Sequence, residues 1–189
     1  MLRCLTGGVL DAEELFEKHA AMVYNLALRL SGNAADAQDI AQDAFIRAIR
    51  GLVTFREGSA PGTWLYRITV NVWKNRVRSE KRRAFWKTFS LDRGSDSGSD
   101  APPLQVAAPE PPAGAALEEQ AEKEMLEKAL AALEPEDRAI LVLREIEGRS
   151  YEEIAGITEM QLGTVKSRIS RAREALRQKM GGLLNEHGT

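Results

Sequence analysis

The chain has 189 residues, enough for one ordinary domain or two small ones, and its 43% hydrophobic and 29% charged residues are a globular balance. Cys4 is the only cysteine, which excludes an internal disulfide and a cysteine-cluster metal site, and His19 and His187 have no companion at ligand spacing. No apolar run reaches membrane-spanning length, and the opening MLRCLTGGVL is too short for a secretory leader before Asp11, Glu13 and Glu14. A cytoplasmic protein with no metal and no cofactor is expected.

The net charge of −2 hides a segregation. Residues 1–87 hold 14 Lys/Arg against 9 Asp/Glu, residues 88–116 hold 1 against 4, and residues 117–189 hold 11 against 15. Within these blocks Arg67 to Lys87 carries 8 basic residues and one acid, and Lys166 to Lys179 carries 6 and one. Two compact basic stretches in an acidic chain have the form of two polyanion footprints.

In chain order, the first block reads as helical. Ala37, Ile40, Ala41, Ala44, Phe45 and Ala48 recur at i, i+3, i+4, i+7 and make one apolar face. Asp36, Asp39, Asp43, Arg47 and Arg50 lie opposite. A third helix is predicted from Pro61 to about Arg83 (PGTWLYRITVNVWKNRVRSEKRR), since proline suits a first turn. Leu65, Ile68 and Val72 form its inner stripe, and Arg67, Val70, Lys74, Val77 and Lys81 point away. Trp64, Tyr66 and Trp73 stand among basic residues, with Phe55 just before the preceding loop. Aromatics interleaved with positive charge make a stacking platform for unpaired bases. Trp64 lies near the inner stripe, where a core role competes; Tyr66 and Trp73 read as platform.

Residues 88–116 hold five of the seven prolines and are rich in Ser, Gly and Asp, the composition of a flexible tether. It divides a first domain at 1–87 from a second at 117–189. There a helix is predicted over Leu117 to Leu133, and another from Pro135 through Ile146, ended by Gly148. A short helix carrying Tyr151, Ile154 and Ala155 leads through a turn to a last helix opening near Gly163-Thr164, with Thr164 as N-cap. This is helix-turn-helix spacing. Glu159 occupies the turn position where a left-handed backbone is wanted and glycine is common. At 100° per residue Val165, Ile169, Ala172 and Leu176 face inward, whereas Ser167, Ser170, Arg171 and Glu174 face out, flanked by Lys166, Arg168 and Arg173. Outward hydroxyls and arginines suit base edges in a major groove, and flanking cations suit phosphates. No segment alternates as a strand does, so the fold class is all-α, two small helical domains on a tether.

The segments YNLALRLSGNAADAQDIAQDAFIRAIRGL and FREGSAPGTWLYRITVNVWKNRVRSEKRR resemble the polymerase-binding and −10-element region of the extracytoplasmic-function (ECF) sigma factors, group IV of the sigma-70 family. The segment ALEPEDRAILVLREIEGRSYEEIA with GTVKSRISRAREALR resembles their −35-element domain. The resemblance implies a non-enzymatic subunit that binds core RNA polymerase, recognises promoter DNA and assists strand opening, monomeric on its own. Asp36, Asp39, Gln42, Asp43 and Arg47 would dock on the clamp helices of the polymerase's largest subunit. Phe55, the loop Glu57 to Gly62 with Ser59 and Ala60, and Asn71 would capture a base flipped from the −10 non-template strand, beside Trp64 and Tyr66. Arg67 and Lys74 would lie along that strand. Lys166, Ser167, Ser170 and Arg171 would enter the −35 major groove, and Arg149, Ser150, Tyr151 and Thr164 would contact phosphates. It also implies an anti-sigma factor, often membrane-tethered, that holds the chain at the membrane face.

Two rivals explain part of the pattern. A helix-turn-helix repressor or activator accounts for the second domain but leaves the aromatic-basic first domain without a role. A helical adaptor accounts for the amphipathic helices but not for two basic faces.

Overall fold

The computed structural model describes residues 11–55, 60–91 and 115–187, all of its regular structure helical. The first helix, α1 (Ala12–Ser31), begins where the Asp11 carboxylate accepts from the Glu13 backbone N–H, and it ends at Gly32 in the left-handed region (φ 82°). Asn33 follows at once as the cap of α2 (Ala34–Gly51), accepting from the Asp36 N–H. An αL glycine and a polar cap in succession reverse the chain within two residues. A 3-10 turn (Leu52–Thr54) then leads towards α3 (Pro61–Leu91), which opens on proline as predicted and runs on past Arg83 to Leu91. Thr88 to Leu91 therefore extend this helix, and Ala115 and Ala116 begin the next; the rest of the expected tether lies outside the described residues.

In the second half α4 (Ala115–Ala131) is joined through Pro135 to α5 (Pro135–Leu141), which widens into one π-helical turn, Val142–Ile146. Gly148 (φ 64°) stops it, with the Arg149 N–H donating back to the Leu143 carbonyl at 2.9 Å. The short helix α6 (Tyr151–Thr158) starts in a capping box, in which Ser150 and Glu153 satisfy each other's backbone N–H groups. The last helix is α7 (Leu162–His187).

Leu15, Val23, Leu26 and Leu30 of α1 and Ala37, Ile40, Ala44 and Ala48 of α2 form a core that Leu65 and Val72 of α3 complete. Ile140, Leu143, Ile154, Ile157, Val165 and Ile169 of the second half belong to the same buried cluster. The junction is α3, packed against α1 and α2 and also against α5 and α6. This explains a departure from the predicted outward face. Val70, Tyr66 and Trp73 are 1%, 1% and 4% exposed, because the second half covers the side of α3 that periodicity assigns to solvent. Thr69, also buried, donates its hydroxyl to the Leu65 carbonyl and leaves no unmet donor there.

Candidate functional site

Three surfaces carry the residues singled out above. The first is the outer face of α7. Val165, Ile169 and Ala172 are fully buried, so the stripe opposite is fixed outward: Lys166, Ser167, Ser170 and Arg171 are exposed. The flanking arginines are tethered. Arg173 donates to the Glu145 carboxylate through Nε at 2.9 Å and Nη2 at 2.7 Å, and Arg168 stands 3.8 Å from Asp137. Arg171 is exposed, and among the described residues its one hydrogen bond is within its own helix, with Nε 3.5 Å from the Ser167 carbonyl. The turn before α7 has Glu159 in the left-handed region (φ 57°, ψ 34°), the backbone expected at that position.

Thr164 is not the cap. The helix starts two residues earlier, at Leu162, with the Val165 N–H already donating to the Gln161 carbonyl at 3.0 Å. The left-handed Glu159 shortens the turn, and Gly163 is tolerated in a first turn whose amides lack helical partners in any case. Thr164 is exposed on that turn and its carbonyl accepts from the Ser167 hydroxyl.

The second surface is α3. At its start Phe55 packs on Trp64 with ring centroids 4.9 Å apart, and both remain half-exposed beside Ala60. Ser59 and Glu57 lie outside the described residues. Asn71 is exposed about two turns further along than Trp64. Tyr66 and Trp73 are no open platform, since both are buried at the contact with the second half. The Tyr66 hydroxyl donates to Glu147 at 2.6 Å and accepts from Arg149 at 3.0 Å. Burial, then the Glu147 carboxylate, pushes the Tyr66 phenol up to about 12. Trp73 faces Arg138, whose guanidinium carbon is 6.0 Å from the ring centroid. Arg67 pairs with Glu159 at 3.2 Å and Lys74 with Glu136 at 3.2 Å. Glu136 also takes Arg78 at 2.9 Å, and Glu134 takes Lys81 at 3.3 Å. Burial alone would raise the Glu136 carboxyl, but its own backbone N–H and the Lys74 and Arg78 cations hold it below the ordinary range.

Of the remaining residues expected near phosphates, Arg149 is committed to Tyr66 and Glu153, and the Ser150 hydroxyl caps α6. Tyr151 is half-buried under the Arg144 guanidinium, 4.7 Å from its ring centroid.

The third surface is the outer side of α2. Gln42, Asp43 and Arg47 are exposed together with Ile46 and Ile49, an apolar pair inside a charged face. Asp36 and Asp39 are drawn away from it by Arg76 of α3, which pairs with both. Sequence reasoning missed Arg76. Its signal is weak, because a lone arginine among many on a basic helix is identified only by the acids that face it. It also missed the capping box at Ser150, which the S-x-x-E spacing does announce.

Residues 15–83 match the family model for Sigma-70 region 2, and residues 123–176 match that for Sigma-70, region 4. The chain is 41% identical over 165 residues to ECF RNA polymerase sigma factor SigE of Mycolicibacterium smegmatis, covering 87% of this chain and 60% of that protein's length. It is 37% identical to RNA polymerase sigma-H factor of Pseudomonas aeruginosa, over 89% of this chain and 86% of that one. With ECF RNA polymerase sigma-E factor of Escherichia coli K12 it shares 37% identity over 80% of its own length and 77% of the relative's. Among solved structures it is similar to the sigma factor RpoE of Bartonella quintana, held there in a complex with the anti-sigma factor NepR. That match has a TM-score of 0.60 and 25% identity, over 89% of this chain and 96% of the other. CnrH, solved with the cytosolic domain of CnrY, has the same fold at a TM-score of 0.57 and 23% identity, over 93% and 88% of the two chains. With both regions in order and relatives matched over most of their own length, the chain belongs to the ECF RNA polymerase sigma factors of the sigma-70 family.

Proposed function

We propose that this chain binds core RNA polymerase in the cytoplasm and directs it to promoters, reading the −35 element as duplex with α7 and holding the opened −10 non-template strand with the first domain. The observation that carries this reading is the outer face of α7. Two serines and an arginine are exposed there, bonded at most within their own helix, while Arg173 and Arg168 beside them are tied to acids of the same domain. Ser167 and Ser170 would offer hydroxyls to several base edges, Arg171 would grip guanine O6 and N7 together with Lys166 beside it in the groove, and Thr164 would contact a phosphate.

The pocket for a flipped −10 base is assigned to Phe55, Trp64 and Asn71 with the connecting loop through Ser59 and Ala60. Its aromatic pair offers a stacking face, and capture offsets part of the unstacking cost. Arg67 and Lys74 would follow the strand backbone. The apolar pair Ile46 and Ile49 among Gln42, Asp43 and Arg47 suits a protein partner, and we assign it to the polymerase clamp. Two modules on one chain raise the effective concentration at the second element once the first is bound, so neither need bind tightly alone. Nucleotidyl transfer belongs to the polymerase. Control by an anti-sigma factor is supported by the likeness to RpoE, whose solved structure contains one. A membrane tether would belong to that regulator.

The test is transcription in vitro. Purified chain with core polymerase is expected to initiate at discrete genomic promoters that core alone ignores. No promoter-specific initiation, with the chain alone footprinting a palindrome, would establish a repressor instead.

A further inference from the structure

Helix α4 packs against α7, and another of its faces looks across an open cavity at α1. Lys123, Leu126, Glu127 and Leu130 fall at i, i+3, i+4, i+7 on α4 and so share that face, while Leu28 and Arg29 line the α1 side. Arg138 of α5 and Ile146, the last residue of the π-helical turn, complete the wall. The cavity measures about 430 Å³, within the range of small-molecule sites, and π-helical turns are frequent beside functional sites.

The wall combines apolar and cationic groups. Leu126 and Ile146, 39% and 38% exposed, are large apolar side chains left open beside this space, and Leu28 and Leu130 line it with them. Three cations stand there against one acid, Glu127. Arg29 is already paired, its Nε 3.4 Å from the Glu147 carboxylate, whereas Lys123 makes no ion pair among the described residues. Arg138 is the anomaly. It is over nine-tenths buried, its one side-chain hydrogen bond runs from Nη2 to the Arg29 carbonyl at 3.3 Å, and its Nε has no acceptor among the described residues. Glu127 acts on it through space and offsets only part of the cost of burial. A guanidinium has five N–H donors, and burying it with so few acceptors is expensive until an anion meets it.

We propose that this cavity binds a small amphiphilic anion, an organic carboxylate with an apolar chain or ring, whose carboxylate sits on Arg138 with Lys123 beside it and whose body covers Leu28, Leu126, Leu130 and Ile146. The site shares no residue with the DNA-facing and polymerase-facing sets assigned above and goes beyond promoter recognition. A planar guanidinium matches the two oxygens of a carboxylate, and such charge-assisted bonds are the strong ones. The same body without a charge would leave Arg138 unmet, and a cationic one would face an excess of like charge, so the site selects for anions. Its walls come from α1 in the first half and from α4 and α5 in the second. Occupancy therefore favours the arrangement in which the halves meet, and the ligand leaves when they part.

The experiment titrates the full chain with decanoate and with 2-naphthoate, one aliphatic and one aromatic probe, by isothermal titration calorimetry below the concentrations at which they aggregate. At least one is expected to bind saturably, one molecule per chain, while decanol and decyltrimethylammonium bind at least about tenfold more weakly. Arg138→Met is expected to weaken probe binding by at least about tenfold. Leu126→Glu puts a second acid beside the cavity at a partly exposed position outside the core cluster, and the same loss is expected. Small-angle scattering checks that both variants keep the wild-type shape. A cavity that holds only water gives no saturable binding of either probe, which overturns the proposal. So does probe binding that decanol matches, a comparison made on the wild type whether or not the variants fold. Binding that survives either substitution in a variant of wild-type shape overturns it as well.

Discussion

The Arg149 guanidinium lies over the Tyr66 ring, its carbon 4.4 Å from the ring centroid, and also donates to the Tyr66 hydroxyl at 3.0 Å. These two residues lie in different halves of the chain, one on the basic α3 and one just before the helix-turn-helix, and Glu147 completes the triad as acceptor of the Tyr66 proton. The triad ties α3 to the helix-turn-helix half of the chain through hydrogen-bonded side chains.

Tyr66→Phe removes a hydrogen bond to a carboxylate, and a bond to a charged partner contributes about 1.5–3 kcal/mol. Urea unfolding should show a loss of that order. The folded-state phenol lies above its ordinary value of 10.0, at about 12. Its contribution to stability is therefore complete below pH 10 and is lost as pH rises through about 12. Phenolate absorbance should show a group ionising near pH 12 in the wild type, and Tyr66→Phe should remove it.

Glu136 gives the opposite sign. Its carboxyl is held below 4.5 in the folded chain, so the stability it contributes is present above that value and lost as pH falls through the lower, folded one. The packing of α5 on α3 should weaken on acidification, and Glu136→Gln should remove part of that acid dependence. Scattering measured against pH checks this.

Arg138→Met tests the cost of burying a charge that the Glu127 carboxylate offsets only in part. Burial pulls the Arg138 guanidinium down, and the side chain lies against Trp73 and the Arg29 carbonyl. An apolar side chain of similar length can fill that space without desolvating a charge, and such exchanges are often neutral or stabilising. The thermal midpoint should be unchanged or higher. A loss above about 1 kcal/mol would show that the guanidinium contacts outweigh the desolvation.

Much of this was legible in the residues. A 3.6-residue period placed Val165, Ile169 and Ala172 inside and Ser167, Ser170 and Arg171 outside, because one helix over one core is what that period encodes. Glu159 was readable as left-handed from the turn spacing alone. The α3 helix was not, since its stripe assigned Val70 to solvent while the structure buries it. A helix covered on two sides has no single apolar face, and its second cover comes from residues far along the chain: Tyr66 meets Glu147 across 81 positions. The start of α7 was misplaced because a cap depends on local backbone geometry, and a threonine two residues inside a helix looks the same in sequence.

The central claim is a division of labour, in which α7 reads duplex while the first domain holds separated strands. The most direct measurement compares Arg171→Ala and Asn71→Ala in reconstituted holoenzyme, following promoter selection by footprinting and strand opening by the reactivity of unpaired thymines. Arg171→Ala should weaken −35 selection by about 1–3 kcal/mol and leave opening intact on the promoters it still occupies. Asn71→Ala should select the same promoters and fail to open them. The account is contradicted if Arg171→Ala selects promoters as the wild type does, or if Asn71→Ala opens them normally.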